Sequence, residues 1–132
     1  MKIPQALIDE MVAHAREDLP NECCGLIGGR DGVATTIYRM RNEFESPLRY
    51  RLHGDDNLRV SKEMFEADEE TIGVYHSHTK SAAYPSQTDV NEGQAWPELT
   101  YVIVSLADED APDVKAYLLK DLKVADVELD VA

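Results

Sequence analysis

Apolar positions recur at helical spacing directly after Pro4, where Leu7, Ile8, Met11, Val12 and Ala15 share one face. Pro4 suits the first turn of that helix, and the stop is expected near Leu19-Pro20. Cys23 to Ile27 is a short apolar run closed by Gly28-Gly29, which reads as a buried strand ending in a turn. Val33 to Met40 reads as its hairpin partner across Arg30-Asp31-Gly32, and the alternation of Leu48 to Leu52 predicts another strand.

Asp55-Asp56 offers caps for a second helix reaching about Glu70, with Leu58, Met64, Phe65 and Val60 as its inward residues. Thr71 to Tyr75 is a strand that delivers His76-Ser77-His78 at its end. Ser86 opens a third helix running to about Ala95, with Trp96 before Pro97 as a helix end packed on the core. Thr100 to Leu106 and Val114 to Leu119 flank a turn at Asp110-Ala111-Pro112, and Lys123 to Val131 alternates like a last strand. Mixed strands and helices with hairpins at both ends predict an α/β (α+β) layered sheet, neither barrel nor bundle.

Composition narrows the function classes. A chain of 132 residues is one ordinary domain, 1–132, with no repeat or linker. Thirteen basic against twenty-six acidic residues give a net charge of -13, which argues against nucleic acid or an anionic membrane as partner. No segment approaches the ~20 apolar residues of a membrane span. The adjacent Cys23 and Cys24 read as reduced thiols, because a vicinal disulfide is strained, and this points to a cytoplasmic protein. The acidity reads as a solubility surface or as adaptation to salt.

Three residues of metal-binding type then fall close together: His76, His78 and Asp89. In a strand, residues i and i+2 point to the same side, so the two imidazoles share a face and Ser77 turns away. Asp89 lies in the first turn of the helix opened by Ser86, which can return over the strand end. Ser86-Gln87-Thr88-Asp89 also fits a capping box, and the cap and ligand roles are compatible. Two imidazoles and a carboxylate leave a fourth position open, as at catalytic zinc. The same donor set describes the facial triad of a non-haem Fe(II) enzyme. A hydrolytic site also needs a base, and spacing alone does not choose among Glu22, Glu66 and Glu92. Elsewhere, His14 reads as a surface residue and His53 as a strand end without a ligand-spaced partner. Cys24 shares strand parity with Glu22 and reads as a small buried residue.

Glu22 upstream, His76-Ser77-His78, seven residues, Ser86, two residues and Asp89 together resemble the JAMM (MPN-plus) metallopeptidase motif. The likeness extends through Glu22-Cys23-Cys24-Gly25, Asn42 to Tyr50 and Tyr75 to Thr79, and is strongest toward the short bacterial members. It implies a curved sheet sandwiched by helices, similar to cytidine deaminases, although the PCxxC zinc motif of the deaminases is absent. By position it implies that His76, His78 and Asp89 hold one Zn²⁺ with a water as fourth ligand. It further implies Glu22 as general acid/base and Ser86 as a hydrogen-bond donor to the water or oxyanion. The expected substrate is a small ubiquitin-like (ThiS/MoaD-like) sulfur carrier protein, cut after its C-terminal Gly-Gly with release of cysteine or a short extension. A non-catalytic MPN scaffold is the competing reading, and intact ligands argue against it.

Overall fold

The computed structural model describes residues Met1–Ala132 and is organised around one hairpin. Strands β2 (Cys24–Arg30) and β3 (Val33–Met40) run antiparallel on either side of Asp31-Gly32. Both turn residues take positive φ, 51° and 76°, the requirement of a tight two-residue turn whose twist matches the strands. The predicted stop at Gly28-Gly29 is therefore corrected: β2 runs through both glycines, bulging between them, and turns only after Arg30. A Cβ at Gly29 would lie 2.1 Å from the Val33 carbonyl oxygen, so only glycine allows that close approach.

The remaining strands are β1 (Lys2–Ile3), β4 (Glu70–His78), β5 (Thr100–Ser105), β6 (Asp113–Leu118), β7 (Ala125–Val127) and β8 (Asp130–Val131). They form one mixed sheet in the order β7-β6-β5-β4-β2-β3-β1-β8. β4 is antiparallel to β2 and parallel to β5. The single strand expected over Lys123 to Val131 is instead two short pieces: β7 pairs with β6, and β8 pairs with β1 at the other end of the order. Only Glu128 and Leu129 separate them. So short a link cannot bridge a flat sheet of this width, so the sheet must curl until its edges approach.

Helix α1 (Gln5–Glu17) covers one face, with Ile8, Met11 and Ala15 against Ile27, Ile37, Tyr75 and Val102. Helices α2 (Gly54–Glu66) and α3 (Gln87–Gly93) lie on the other, with Val60, Met64 and Val90 against Leu26, Val74, Tyr101 and Ile103. Each fully buried aliphatic side chain contributes roughly 1.5–3 kcal/mol to holding these layers.

Further expectations are corrected by the structure. α2 ends at Glu66, short of Glu70, because Asp68 turns left-handed (φ 59°). Glu69 N–H then donates to Met64 O and Asp68 N–H to Phe65 O, a Schellman stop. Leu58 and Phe65 are 76% and 86% exposed, since 3.6 residues per turn set them opposite Val60 and Met64. Leu48 to Leu52 forms no strand and makes a single bridge, Asn42 to Leu52. Trp96 is 58% exposed beyond the end of α3, not packed on the core. His14 is corrected too: it is buried, its Nδ1 2.7 Å from the Tyr75 hydroxyl and its Nε2 3.2 Å from Asp18. His53 is no strand end but the N-cap of α2, accepting from Asp55 N–H. No helix is long and apolar enough to cross a membrane.

Candidate active site

The site is assembled by sheet register. Cys24 faces His76 across the β2–β4 ladder, so Glu22, two residues earlier, comes level with His78 on the same side of the sheet. Ser77 points the other way and locks this alignment. Its Oγ accepts from Cys23 N–H at 2.8 Å and its own N–H donates to Cys23 O at 3.1 Å. Glu22 is held at both ends of its backbone, with its N–H donating to Ser46 O and its carbonyl accepting from Asn42 Nδ2.

Asp89 arrives from α3 through the predicted capping box. Ser86 Oγ accepts from Asp89 N–H at 3.1 Å, and Asp89 Oδ2 accepts from Ser86 N–H at 2.9 Å. The same Oδ2 lies 3.3 Å from His76 Nε2 and 3.0 Å from His78 Nε2, and the two Nε2 atoms are 3.2 Å apart. The structure thus brings His76, His78 and Asp89 to one point.

These donors fit a metal ion. His78 Nδ1 lies 2.8 Å from Ala82 O, which can only accept, so Nδ1 carries the proton and the neutral ring turns its Nε2 lone pair to the centre. Lone pairs facing one another at such distances repel unless a cation or proton lies between them. Metal–ligand bonds of ~2.0–2.1 Å at tetrahedral angles set ligand atoms about 3.3–3.4 Å apart, close to the triangle observed. His76 is oriented by the ring of Tyr50, stacked at 4.4 Å and 21°.

Glu22 is 4% exposed and its Oε1 has no hydrogen-bond partner. Burial pushes its carboxyl up to about 8, with His78 pulling it down and Asp89 pushing it up. Burial also opposes ionisation of Asp89, yet its contacts with His76 and His78 outweigh that and hold it well below the carboxylate range. For His78, burial works against the charge, but the Asp89 contact prevails and raises its pKa. Cys24 shares the face of Glu22 and His76, but its thiol turns to the Met40 and Arg41 carbonyls, away from the donors. Neither cysteine is paired.

Two residues of this neighbourhood were not singled out as site residues in the sequence. Tyr50 belongs to the segment 41–53, where the alternation of Leu48 to Leu52 predicts a strand that does not form. Asn42 fixes that segment, donating to Glu22 O and Arg49 O and accepting from Phe44 N–H and Arg51 N–H. The capacity of asparagine to bond backbone in both directions was one cue, and the family likeness of the stretch Asn42 to Tyr50 was another.

Comparison with known proteins agrees with this architecture. The family described as prokaryotic homologs of the JAB domain matches residues 4–120. The CysO-cysteine peptidase of Mycobacterium tuberculosis is 39% identical over 127 residues, covering 95% of this chain and 86% of that protein. A probable TtuB-protein conjugate cleaving protease of Thermus thermophilus is 33% identical over 122 residues, 90% of this chain and 76% of that one. The solution structure of protein DSY2949 from Desulfitobacterium hafniense superposes with a TM-score of 0.90 at 34% identity, over 99% of this chain and 92% of that one. With its fold and nearly its whole length matched, the chain belongs to the family of prokaryotic homologs of the JAB domain.

Proposed function

We propose that the chain is a zinc-dependent peptidase that hydrolyses the amide bond after the C-terminal Gly-Gly of a ubiquitin-like, ThiS/MoaD-like carrier. The observation that carries this reading is the convergence of His76 Nε2, His78 Nε2 and Asp89 Oδ2 beside the unpartnered carboxyl of Glu22. His76, His78 and Asp89 would hold one Zn²⁺ and leave the fourth position to water. Zinc bound there supplies Lewis-acid polarisation and makes a water acidic enough to attack at neutral pH.

The chain's own groups do the rest. Glu22, buried beside the three converging donors with its Oε1 unpartnered, accepts the proton of the attacking water and gives it to the departing amine. Ser86 spends its Oγ lone pair on Asp89 N–H, which leaves the hydroxyl hydrogen free to donate to the developing oxyanion. Asn42 and Ser46 fix the Glu22 backbone, so the carboxyl works from a held position. The names of the mycobacterial and Thermus relatives support carriers and carrier conjugates as the substrate class. Two leaving groups fit, a C-terminal cysteine and the amine of a conjugated protein. Unpaired buried thiols agree with a reducing, cytoplasmic setting.

Mass spectrometry of a carrier adduct incubated with zinc-loaded protein tests the proposal. The adduct should be trimmed back to Gly-Gly while casein stays intact. An intact adduct with degraded casein overturns the substrate class.

A further inference from the structure

Strand β4 presents His76 and His78 on one face, toward α2 and α3, and by strand parity Tyr75 and Ser77 point to the α1 side. Ser77 ties that reverse face to Cys23, the residue after Glu22. Tyr75 ties it to the chain before Glu22. Its hydroxyl lies 2.7 Å from His14 Nδ1, and His14 Nε2 lies 3.2 Å from an Asp18 carboxylate oxygen. Asp18 is the C-cap of α1, and its carbonyl accepts from Asn21 N–H at 2.9 Å. The turn 18–21 therefore leads from that carboxylate straight into Glu22.

Proton positions give this chain a direction. The Tyr75 phenol is fully buried, which holds its proton on, so its O–H donates to His14 Nδ1. Nδ1 then keeps its lone pair, and the proton of the neutral ring sits on Nε2 and is donated to Asp18. Burial lowers the His14 pKa against the pull of Asp18, which keeps the ring neutral at pH 7. Tyr75 belongs to the apolar layer under α1, with Met11, Ala15 and Cys23. An apolar pair of the same shape would hold helix to sheet there about as well. What the polar pair adds is a fixed distance and angle, because hydrogen bonds weaken steeply when bent.

We infer that His14 is a positioning residue for the reaction: the chain Tyr75–His14–Asp18 fixes the turn that delivers Glu22 and so sets the reach of its carboxyl to the metal-binding triangle. The inference rests on the amide-hydrolase reading above and adds a residue that touches neither substrate nor metal. The back of the strand that carries His76 and His78 then holds the base from both sides, through Cys23 after it and Asp18 before it. Glu22 Oε1 has no hydrogen bond to define its place, so the backbone must define it. A misplacement of about 1 Å at a reacting group costs about 10²-fold in rate.

His14→Phe/Tyr75→Phe separates positioning from packing. Two phenyl rings leave no buried polar group unpaired, so melting temperature and zinc content should stay near wild type. On a carrier adduct, kcat of the zinc-loaded double variant should fall about tenfold to a hundredfold with KM unchanged, because no group that binds substrate has changed. The Asp18 side chain is 34% exposed, so its variants carry the test even if the double variant does not fold. Asp18→Asn loses the charge but keeps an oxygen that accepts from Nε2–H, and should retain the wild-type kcat. Asp18→Ala loses charge and acceptor together, and its kcat should fall as in the double variant. Wild-type kcat in the folded double variant or in Asp18→Ala overturns the inference while the hydrolase reading stands. An adduct left intact by the wild type overturns the hydrolase reading and this inference with it.

A measurement independent of turnover uses the metal-free chain. Nitrogen NMR of the His14 ring should show the proton on Nε2 and none on Nδ1. The amide hydrogens of Asn21 and Glu22, bonded to Asp18 O and Ser46 O, should exchange about tenfold faster in Asp18→Ala than in wild type or Asp18→Asn. Those of the paired strands β2 and β4 should keep their protection. A proton on Nδ1, or unchanged exchange at Asn21 and Glu22, would overturn the inference.

Discussion

Tyr50 lies flat on His76, with ring centroids 4.4 Å apart and planes 21° from parallel. His76 Nδ1 is buried and makes no hydrogen bond, so stacking takes the orienting role that a carbonyl plays for His78. Tyr50→Ala should therefore weaken zinc binding by about tenfold, while Tyr50→Phe keeps the face and the affinity. His78→Ala should lose most bound metal outright. Competition with a chromophoric chelator and elemental analysis read both, and full zinc in His78→Ala would remove the ligand assignment. Stable colourless zinc in air, without redox-active iron, separates hydrolysis from the facial-triad alternative.

The convergence of His76, His78 and Asp89 was legible because each is set by a local rule. Parity along one strand gives His76 and His78, and a capping box gives Asp89. The β2–β3 hairpin was equally legible, because Asp31-Gly32 is a turn signal that needs nothing from elsewhere. Tyr50 was not, since the alternation of Leu48 to Leu52 predicts a strand where the side chain of Asn42 instead shapes an irregular segment. His14 was misread for a similar reason. Its helical neighbours are polar, but its partner Tyr75 is 61 positions away and reaches it from the sheet. The curl of the sheet was also hidden, because β7 and β8 are too short to announce partners at opposite edges.

Glu22 links the chemistry to stability. Its carboxyl sits at about 8 in the fold because of burial, against about 4.3 in an unfolded chain, so the folded state holds a proton that the unfolded state releases. That contribution is complete below about pH 4 and is lost as pH rises through 8. In the metal-free protein, urea unfolding should show wild type losing stability from pH 5.5 to 8.5 relative to Glu22→Gln. The same variant, loaded with zinc, should keep its metal and fold but lose most turnover, since an amide cannot take a proton. Parallel pH profiles of the two proteins would contradict the buried acid, and wild-type rates in Glu22→Gln would rule out its role.

With a net charge of -13, carboxylates repel across the surface, and four of them, Glu17, Asp18, Glu43 and Glu45, line one concavity. Salt shortens the Debye length from about 30 Å at 0.01 M to about 3 Å at 1 M, and the repulsion fades accordingly. The melting temperature should therefore rise with salt. A flat response up to molar salt would remove the salt-adaptation reading of the acidity.

Ser86 serves two roles that substitutions can separate. As N-cap of α3 it accepts from Asp89 N–H, and that geometry also aims the Asp89 carboxylate at the histidines. Alanine removes the cap and should cost about 1 kcal/mol, with some loss of metal affinity as Asp89 loosens. Glycine caps almost as well, at a few tenths of a kcal/mol, but carries no hydroxyl. If the hydroxyl donates to the oxyanion, Ser86→Gly should keep the wild-type melting temperature and zinc content closely, yet lose about 10²–10³ in kcat. Ser86→Thr, which retains both functions, should recover most of that rate. Calorimetry, chelator competition and turnover on the same three variants decide the matter, and a Ser86→Gly protein with undiminished kcat would leave Ser86 as a cap and nothing more.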